Sequence, residues 1–285
     1  MLQVARLAPK VLGDSTSLVE RFLQNQRNSD GGFKDRIGKS DLYYTVFGID
    51  ALQALQAEIH GGELASYLAN FDELTALDFV HVCCLARCWS TLKLESELRA
   101  RLLEEIERYR SADGGYSKTK GDENGTVYAA FLAVGAYQDL KSEVREPLRI
   151  VQALKFLETS DGAWANERGV KVGSTNATAA AVTVLRNLRI PVSPMVGEWL
   201  LARCHEMGGF VAAPAAPAPD LLSTATALHA MAGLELSLDA LRDKCLDFID
   251  SLWTNEGSFY GHWQEESLDT EYTFYALLAL GHLSL

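Results

Sequence analysis

Four aspartates, Asp41, Asp78, Asp220 and Asp269, each stand directly before a long apolar run, and that position opens two kinds of chemistry to a carboxylate. At a helix start it accepts backbone N–H bonds and complements the helix dipole. Where several such starts meet, like-charge proximity raises the pKa of one carboxyl, or the group binds a cation. Asp220, Asp269 and Asp78 are therefore the candidate catalytic residues. Three residues past each cap come Tyr44, His81, Ala129, Ala177, Ser223 and Tyr272, and six past come Phe47, Cys84, Leu132, Ala180, Thr226 and Tyr275. Pointed at a common cavity, these make one aromatic side and one small-residue side. Aromatic faces suit an apolar chain or a cation, so Tyr44, Phe47, His81, Ser223, Tyr272 and Tyr275 are the candidate substrate-binding residues. The alternative is that the aromatics fill the axis as ordinary packing.

His81, Cys84 and Cys88 form a stripe on one predicted helix, but positions seven apart lie about 10 Å distant along the axis, so one ion cannot take all three. A packed core histidine is the simpler reading. Five cysteines are an odd number for a disulfide framework and read as structural thiols. Asp30, Asp113 and Asp161 precede glycine turns and read as turn acceptors.

The elements that must position these residues repeat along the chain. SDGGFKD, ADGGYSK, SDGAWAN, EMGGFVA and NEGSFYG each carry glycine, a small residue and an aromatic. Counting from the first glycine, a capping type follows after 12 residues at Thr126, Ser174, Asp220 and Asp269, and after 10 at Asp41. A leucine lies 14 residues past every cap, including Leu92 past Asp78 in a sixth copy without the glycine turn. The run after each cap is apolar nearly all round, as in LLSTATALHAMAGL, and demands burial on every side. The run before each turn is amphipathic: in LRDKCLDFIDSLW, Leu241, Cys245, Phe248, Ile249 and Leu252 recur at steps of three and four. Six such pairs predict an all-α fold, an α/α toroid of six helical hairpins with an inner and an outer ring. Residues 1–16 are expected to be a lead-in and 17–285 one domain. An open solenoid would expose one face of the apolar helices, and a TIM barrel would need alternating strand patterns that are absent.

The chain has 285 residues, 48% of them hydrophobic, enough for a well-buried core. A balance of 26 − 38 = −12 would repel a nucleic-acid backbone, so nucleic acid is not an expected partner. No run has the length of a membrane span, and the first residues lack a secretory apolar segment; the expected location is cytoplasmic.

With its DGGF, DGGY and MGGF turns, each followed by a capped inner helix, the chain resembles the prenyltransferase and squalene-cyclase repeat superfamily over residues 17–285. It is most similar there to the β subunit of protein prenyltransferases, the geranylgeranyl type II enzyme especially. The resemblance implies an isoprenoid in the central cavity, a transferase activity, a zinc ion that activates a thiol, and a helical partner subunit. At the family's metal positions this chain has Asp220, Leu222 and Tyr272, so Asp220 is the one ligand position kept and no cofactor is expected. FVAAPAAPAPD, ahead of Asp220, holds none of the family's diphosphate-gripping cations. The nearest approach to a cyclase acid cluster is Asp269-Thr270-Glu271. Three readings stay open: an isoprenoid-binding toroid with or without transferase activity, a non-catalytic interaction module on the same fold, and a terpene-cyclase-like or carbohydrate-active α/α barrel.

Overall fold

The computed structural model describes residues 1–92 and 95–285. Its helices are α1 (Leu2–Ala5), α2 (Pro9–Leu12), α3 (Thr16–Asn25), α4 (Leu42–Ala54), α5 (Gly61–Leu68), α6 (Phe79–Ser90), α7 (Ser96–Glu107), α8 (Val127–Asp139), α9 (Pro147–Lys155), α10 (Thr175–Asn187), α11 (Pro194–Leu201), α12 (Leu221–Gly233), α13 (Arg242–Asp250) and α14 (Thr270–Leu283). Two-residue strands β1 (Phe33–Lys34) and β2 (Ser40–Asp41), and β3 (Phe210–Val211) and β4 (Pro219–Asp220), form two antiparallel pairs. From α3 onward, odd-numbered helices alternate with the predicted apolar ones.

All the expected caps form. Asp41, Asp78, Thr126, Ser174, Asp220 and Asp269 each have extended backbone, and each side chain accepts a backbone N–H from the first turn of α4, α6, α8, α10, α12 or α14. At the other end Leu55, Leu140, Leu188 and Leu234 are C-caps, while α6 and α14 close on Thr91 and Ser284, one residue off the leucine. The odd-numbered helices have a wet face: on α13, Cys245, Phe248 and Ile249 are buried while Asp243, Asp247 and Asp250 are exposed.

The glycine turns have one geometry. The first glycine takes a φ of 96° at Gly31, 91° at Gly114, 83° at Gly162, 86° at Gly208 and 89° at Gly257, a region that side chains other than glycine's rarely enter. The aromatic that follows turns back into the core, bridging Arg27 to Phe33, Arg110 to Tyr116, Glu158 to Trp164, Cys204 to Phe210 and Trp253 to Phe259. A threonine four past the cap fastens that aromatic: Phe33, Trp164 and Phe210 donate their N–H to Thr45, Thr178 and Thr224 Oγ1 at 2.9, 3.1 and 2.9 Å. Asp30 and Asp113 accept the N–H of Gly32 and Gly115 within their turns, and Asp161 accepts that of Gly173, next to the Ser174 cap.

The chain divides into two compact units, residues 1–64 with 197–285, and residues 65–196. In the first, α14 packs against both α12 and α4, so the last inner helix lies beside the first. The turn at Gly257 docks on α3, where an added Cβ would collide with the Leu18 carbonyl, just as one at Gly208 would strike the Lys244 carbonyl on α13. α1 packs against α14 and α4. In the second unit α8 packs against both α6 and α10. Its core holds a polar knot in which Tyr116 and Tyr137 hydroxyls donate to Glu107 Oε1 at 2.5 and 2.8 Å and Arg110 Nε donates to Glu107 Oε2 at 2.9 Å. Among the described residues no helix is long and apolar enough to cross a membrane.

Candidate functional site

The expected site residues fall into three groups. Asp78 and His81 belong to the second unit, at the start of α6. His81 meets its cap twice, through N–H to Asp78 Oδ1 and ring Nδ1 to Oδ2, both at 2.9 Å. Burial alone would raise the Asp78 carboxyl, but the His81 backbone and ring outweigh it and hold the pKa below its ordinary value. Cys84 and Cys88 are buried in the same helix, and Cys83 beside them is pushed well above the ordinary thiol range by burial.

Asp220 and Ser223 form the second group, on α12. Ser223 N–H and Oγ donate to Asp220 Oδ1 and Oδ2, both at 2.7 Å, and Ser223 is fully buried. Ser223 thus faces its own cap. The half-exposed residues of α12 are Leu222, Thr226 and His229, two, six and nine past the cap, as a period of 3.6 requires, with Ala232 and Gly233 at its C-terminal end.

The third group is the densest. Tyr43, Tyr44 and Phe47 of α4 face Glu271, Tyr272, Phe274 and Tyr275 of α14. The Phe47 ring lies 5.0 Å from Tyr43 in an edge contact, 5.4 Å from Tyr275 and 5.8 Å from Phe274. On this wall the Tyr43 hydroxyl donates to Glu271 Oε1 at 2.7 Å. Burial raises the Glu271 carboxyl to about 7; the Tyr43 bond opposes the shift and the Asp269 charge adds to it. Burial likewise raises Asp269, although Arg36 pulls it back.

Arg36, from the β1–β2 turn, reaches across to the start of α14. Its Nε donates to Asp269 Oδ2 at 3.1 Å, a second nitrogen pairs with the same oxygen at 3.1 Å, and a third lies 3.5 Å from Glu265. Burial disfavours its charge, but Tyr272, Asp269 and Tyr44 more than compensate and raise its pKa. It also lies over the Tyr272 ring, 5.4 Å from the centroid. The Tyr44 and Tyr272 side chains thus lie beside Arg36, while Tyr43, Phe47 and Tyr275 present the aromatic face. Arg36, Tyr43 and Glu265 were not among the residues singled out from sequence. Tyr43 and Glu271 sit two past their caps, and applying the helical period to the exposed stripe would have found both.

The turns, the caps and the alternation of helices are now matched by comparison. The family described as the prenyltransferase alpha-alpha toroid domain matches residues 4–83, 74–193 and 178–284. The chain belongs to this family, and its fold is the α/α toroid. No curated protein matches the sequence. Among solved structures, a type II terpene cyclase from Scytonema is similar at 14% identity, with 100% of this chain and 98% of that chain covered and a TM-score of 0.68. Candida albicans protein geranylgeranyltransferase-I, complexed with GGPP, is similar at 14% identity, with 97% and 80% covered and a TM-score of 0.55. A glycosidase in complex with glucose is similar at 12% identity, with 99% and 96% covered and a TM-score of 0.55. Three chemistries share the fold, so the reaction has to be argued from side chains.

The zinc that the toroid implies does not fit this chain. Both oxygens of Asp220 are taken by Ser223, and Leu222 and Tyr272 offer neither thiolate nor imidazole. Among the described residues no three His, Cys, Asp or Glu side chains gather as a metal requires.

Proposed function

We propose that the protein binds a neutral, oxygen-bearing isoprenoid against the aromatic wall of its first unit, with the Glu271 carboxyl hydrogen-bonded to the ligand's oxygen. The observation that carries this reading is a carboxyl raised to about 7 and set by Tyr43 on the face made with Phe47 and Tyr275. The isoprenoid chemistry named for the terpene cyclase and the geranylgeranyltransferase among its structural relatives supports the ligand class. Edge and face contacts of three rings suit a branched polyene. Burying a C20 chain is worth several kcal/mol at about 25 cal/mol per Å² of apolar area.

Charge argues for a neutral head. Asp269 and Glu265 lie beside the wall and Arg36 is already paired with both, so a diphosphate placed there would meet two carboxylates. A carboxyl near 7 is also a weak acid: it suits donation to an alcohol or epoxide oxygen better than protonation of an isolated alkene. Zinc-assisted prenyl transfer is not part of the reading, because the donor set does not fit.

Thermal melting against ligand concentration tests it. A C20 isoprenoid alcohol is expected to raise the melting temperature saturably, and the matching diphosphate to do no better. Tyr275→Ala and Phe47→Ala should each abolish most of the rise. A diphosphate that binds far more tightly than the alcohol would place the site elsewhere. No rise with either form would favour the non-catalytic interaction module.

A further inference from the structure

Two clefts occur at the same register of the repeat, one in each unit. The first, of about 350 Å³, opens between α2 and α13 against α14. The second, of about 270 Å³, opens beside α9 against α10. Ile249, Phe259 and Leu280 line the first, and Leu154, Trp164 and Leu185 line the second at the same distances from the turn glycine and from the cap. The rims differ. Asp250 stands where the second cleft has Lys155, Trp253 stands where it has Glu158, and Asp247 falls at the register of Gln152.

This exchange runs against helix electrostatics. α9 carries Lys155 in its last turn, where the negative end of the helix dipole favours a cation; the last turn of α13 holds Asp247 and Asp250 and no basic residue. Both aspartates are exposed, and a spacing of three sets them on one face of the helix. Among the described residues neither carboxylate has a hydrogen bond or an ion pair, and no lining residue of this cleft is basic. Trp253 and Phe259 meet edge-on in its wall, with ring centroids 5.0 Å apart.

We propose that the cleft between α2 and α13 binds a small arylalkylammonium ion, with Asp247 and Asp250 taking the charge and the apolar walls beside Trp253 taking the body. A primary ammonium brings three donors, which two carboxylates one turn apart can share in charge-assisted bonds. The Trp253 indole suits either part of such a ligand, since its face attracts a cation and its surface packs a ring. A volume of about 350 Å³ lies at the lower end of the range for small-molecule sites and fits a single-ring amine. A cation here also meets the carbonyl end of α13, so carboxylates that oppose the helix dipole in the free protein become favourable in the complex. The second cleft, with one charge of each sign at its rim, lacks this selectivity. None of the residues in the first cleft belongs to the aromatic wall of α4 and α14, so the two ligands have separate sites.

Calorimetric titration of the full chain with phenethylamine, phenethyl alcohol and phenylpropionate tests the assignment, because the three probes share one apolar body and differ in charge. Expected is saturable one-to-one binding of the amine, about tenfold tighter than the alcohol, with the carboxylate weakest. Asp250→Lys installs the residue of the second cleft. It should weaken the amine at least about tenfold while the melting temperature stays level or rises, since a carboxylate leaves the carbonyl end of α13. Trp253→Ala should also weaken the amine, with circular dichroism checking its fold. Lys155→Ala and Tyr275→Ala should bind the amine as wild type does. An amine that shows no saturable binding, that binds no tighter than the alcohol, or that binds Asp250→Lys equally well would overturn the proposal. So would loss of amine binding in Tyr275→Ala, which would move the ligand to the aromatic wall.

Discussion

A carboxyl raised to about 7 would give the proposed binding site its own pH signature. Glu271 is raised from 4.5 to about 7 by burial, so between those values the folded chain holds a proton that the unfolded chain has lost. Its contribution to stability therefore falls as pH rises through that window, the reverse of a salt-bridged carboxylate. If the neutral carboxyl donates to the ligand oxygen, alcohol binding should weaken as pH climbs through about 7. Glu271→Gln should keep binding and lose the pH dependence, while Tyr43→Phe, which removes the 2.7 Å bond opposing the shift, should move the midpoint upward. Titration of ligand affinity from pH 5.5 to 8.5 in the three proteins checks this; a Gln variant with the wild-type profile would remove Glu271 from the site. His282 has the opposite sign. Burial first, and the N-terminal charge second, lower it to about 4, and its Nε2 lies 3.0 Å from His229 Nδ1. The stability it supports is complete above about 6.5, the unperturbed value, and drains away as pH falls toward 4. His282→Gln should therefore melt with a flatter pH dependence between 4 and 6.5 than wild type does.

At the scale of elements, sequence told most where local geometry forces residue type. A turn that needs positive φ selects glycine, and a helix start that needs an acceptor selects Asp, Thr or Ser; both recur at fixed spacing because the helices between them have nearly fixed length. The predicted caps all form, and the half-aromatic pairing of α4 with α14 follows the residues singled out at Tyr44, Phe47, Tyr272 and Tyr275. What sequence did not reveal depends on contacts across long separations. Arg36 lies on a turn with no motif of its own and acquires its role from distant partners, among them Asp269, 233 residues on. Ser223 is a second case: spacing alone does not reveal that its hydroxyl bonds to its own cap. The caps should accordingly differ in cost. Thr126→Ala removes one accepting side chain from α8 and should lose about 1 kcal/mol in urea unfolding. Asp269→Ala also strips Arg36 of its shortest ion pair inside a buried site, and should lose roughly 2 kcal/mol or more. Equal losses would mean that the Arg36 pair contributes nothing to the fold.

At the scale of the whole molecule, the question is whether the ends of the chain depend on each other. An open array of helical hairpins would let its last copy fray without consequence for the first, since each copy would contact only its sequence neighbours. In the first unit α14 instead packs on α4, the turn at Gly257 docks on α3 against the Leu18 carbonyl, and α1 covers α14 where Gly281 meets the Val4 carbonyl. The last copy is thus held by the first, and the first by the last. Gly257→Ala puts this to the test, because it adds a Cβ at a φ of 89° and directly against Leu18. The strain and the collision together should destabilise the protein by roughly 1–3 kcal/mol. Hydrogen exchange followed by mass spectrometry should then show protection falling in α3 and α4 as well as in α14, although some 200 residues separate them. Gly162→Ala is the control, since its φ of 83° carries the same backbone strain but an added Cβ there meets nothing within 4 Å. It should lower protection around its own turn in the second unit and leave α3 unchanged. Loss confined to residues near 257 in the first variant, with α3 and α4 as protected as in wild type, would show that the ends touch without supporting each other.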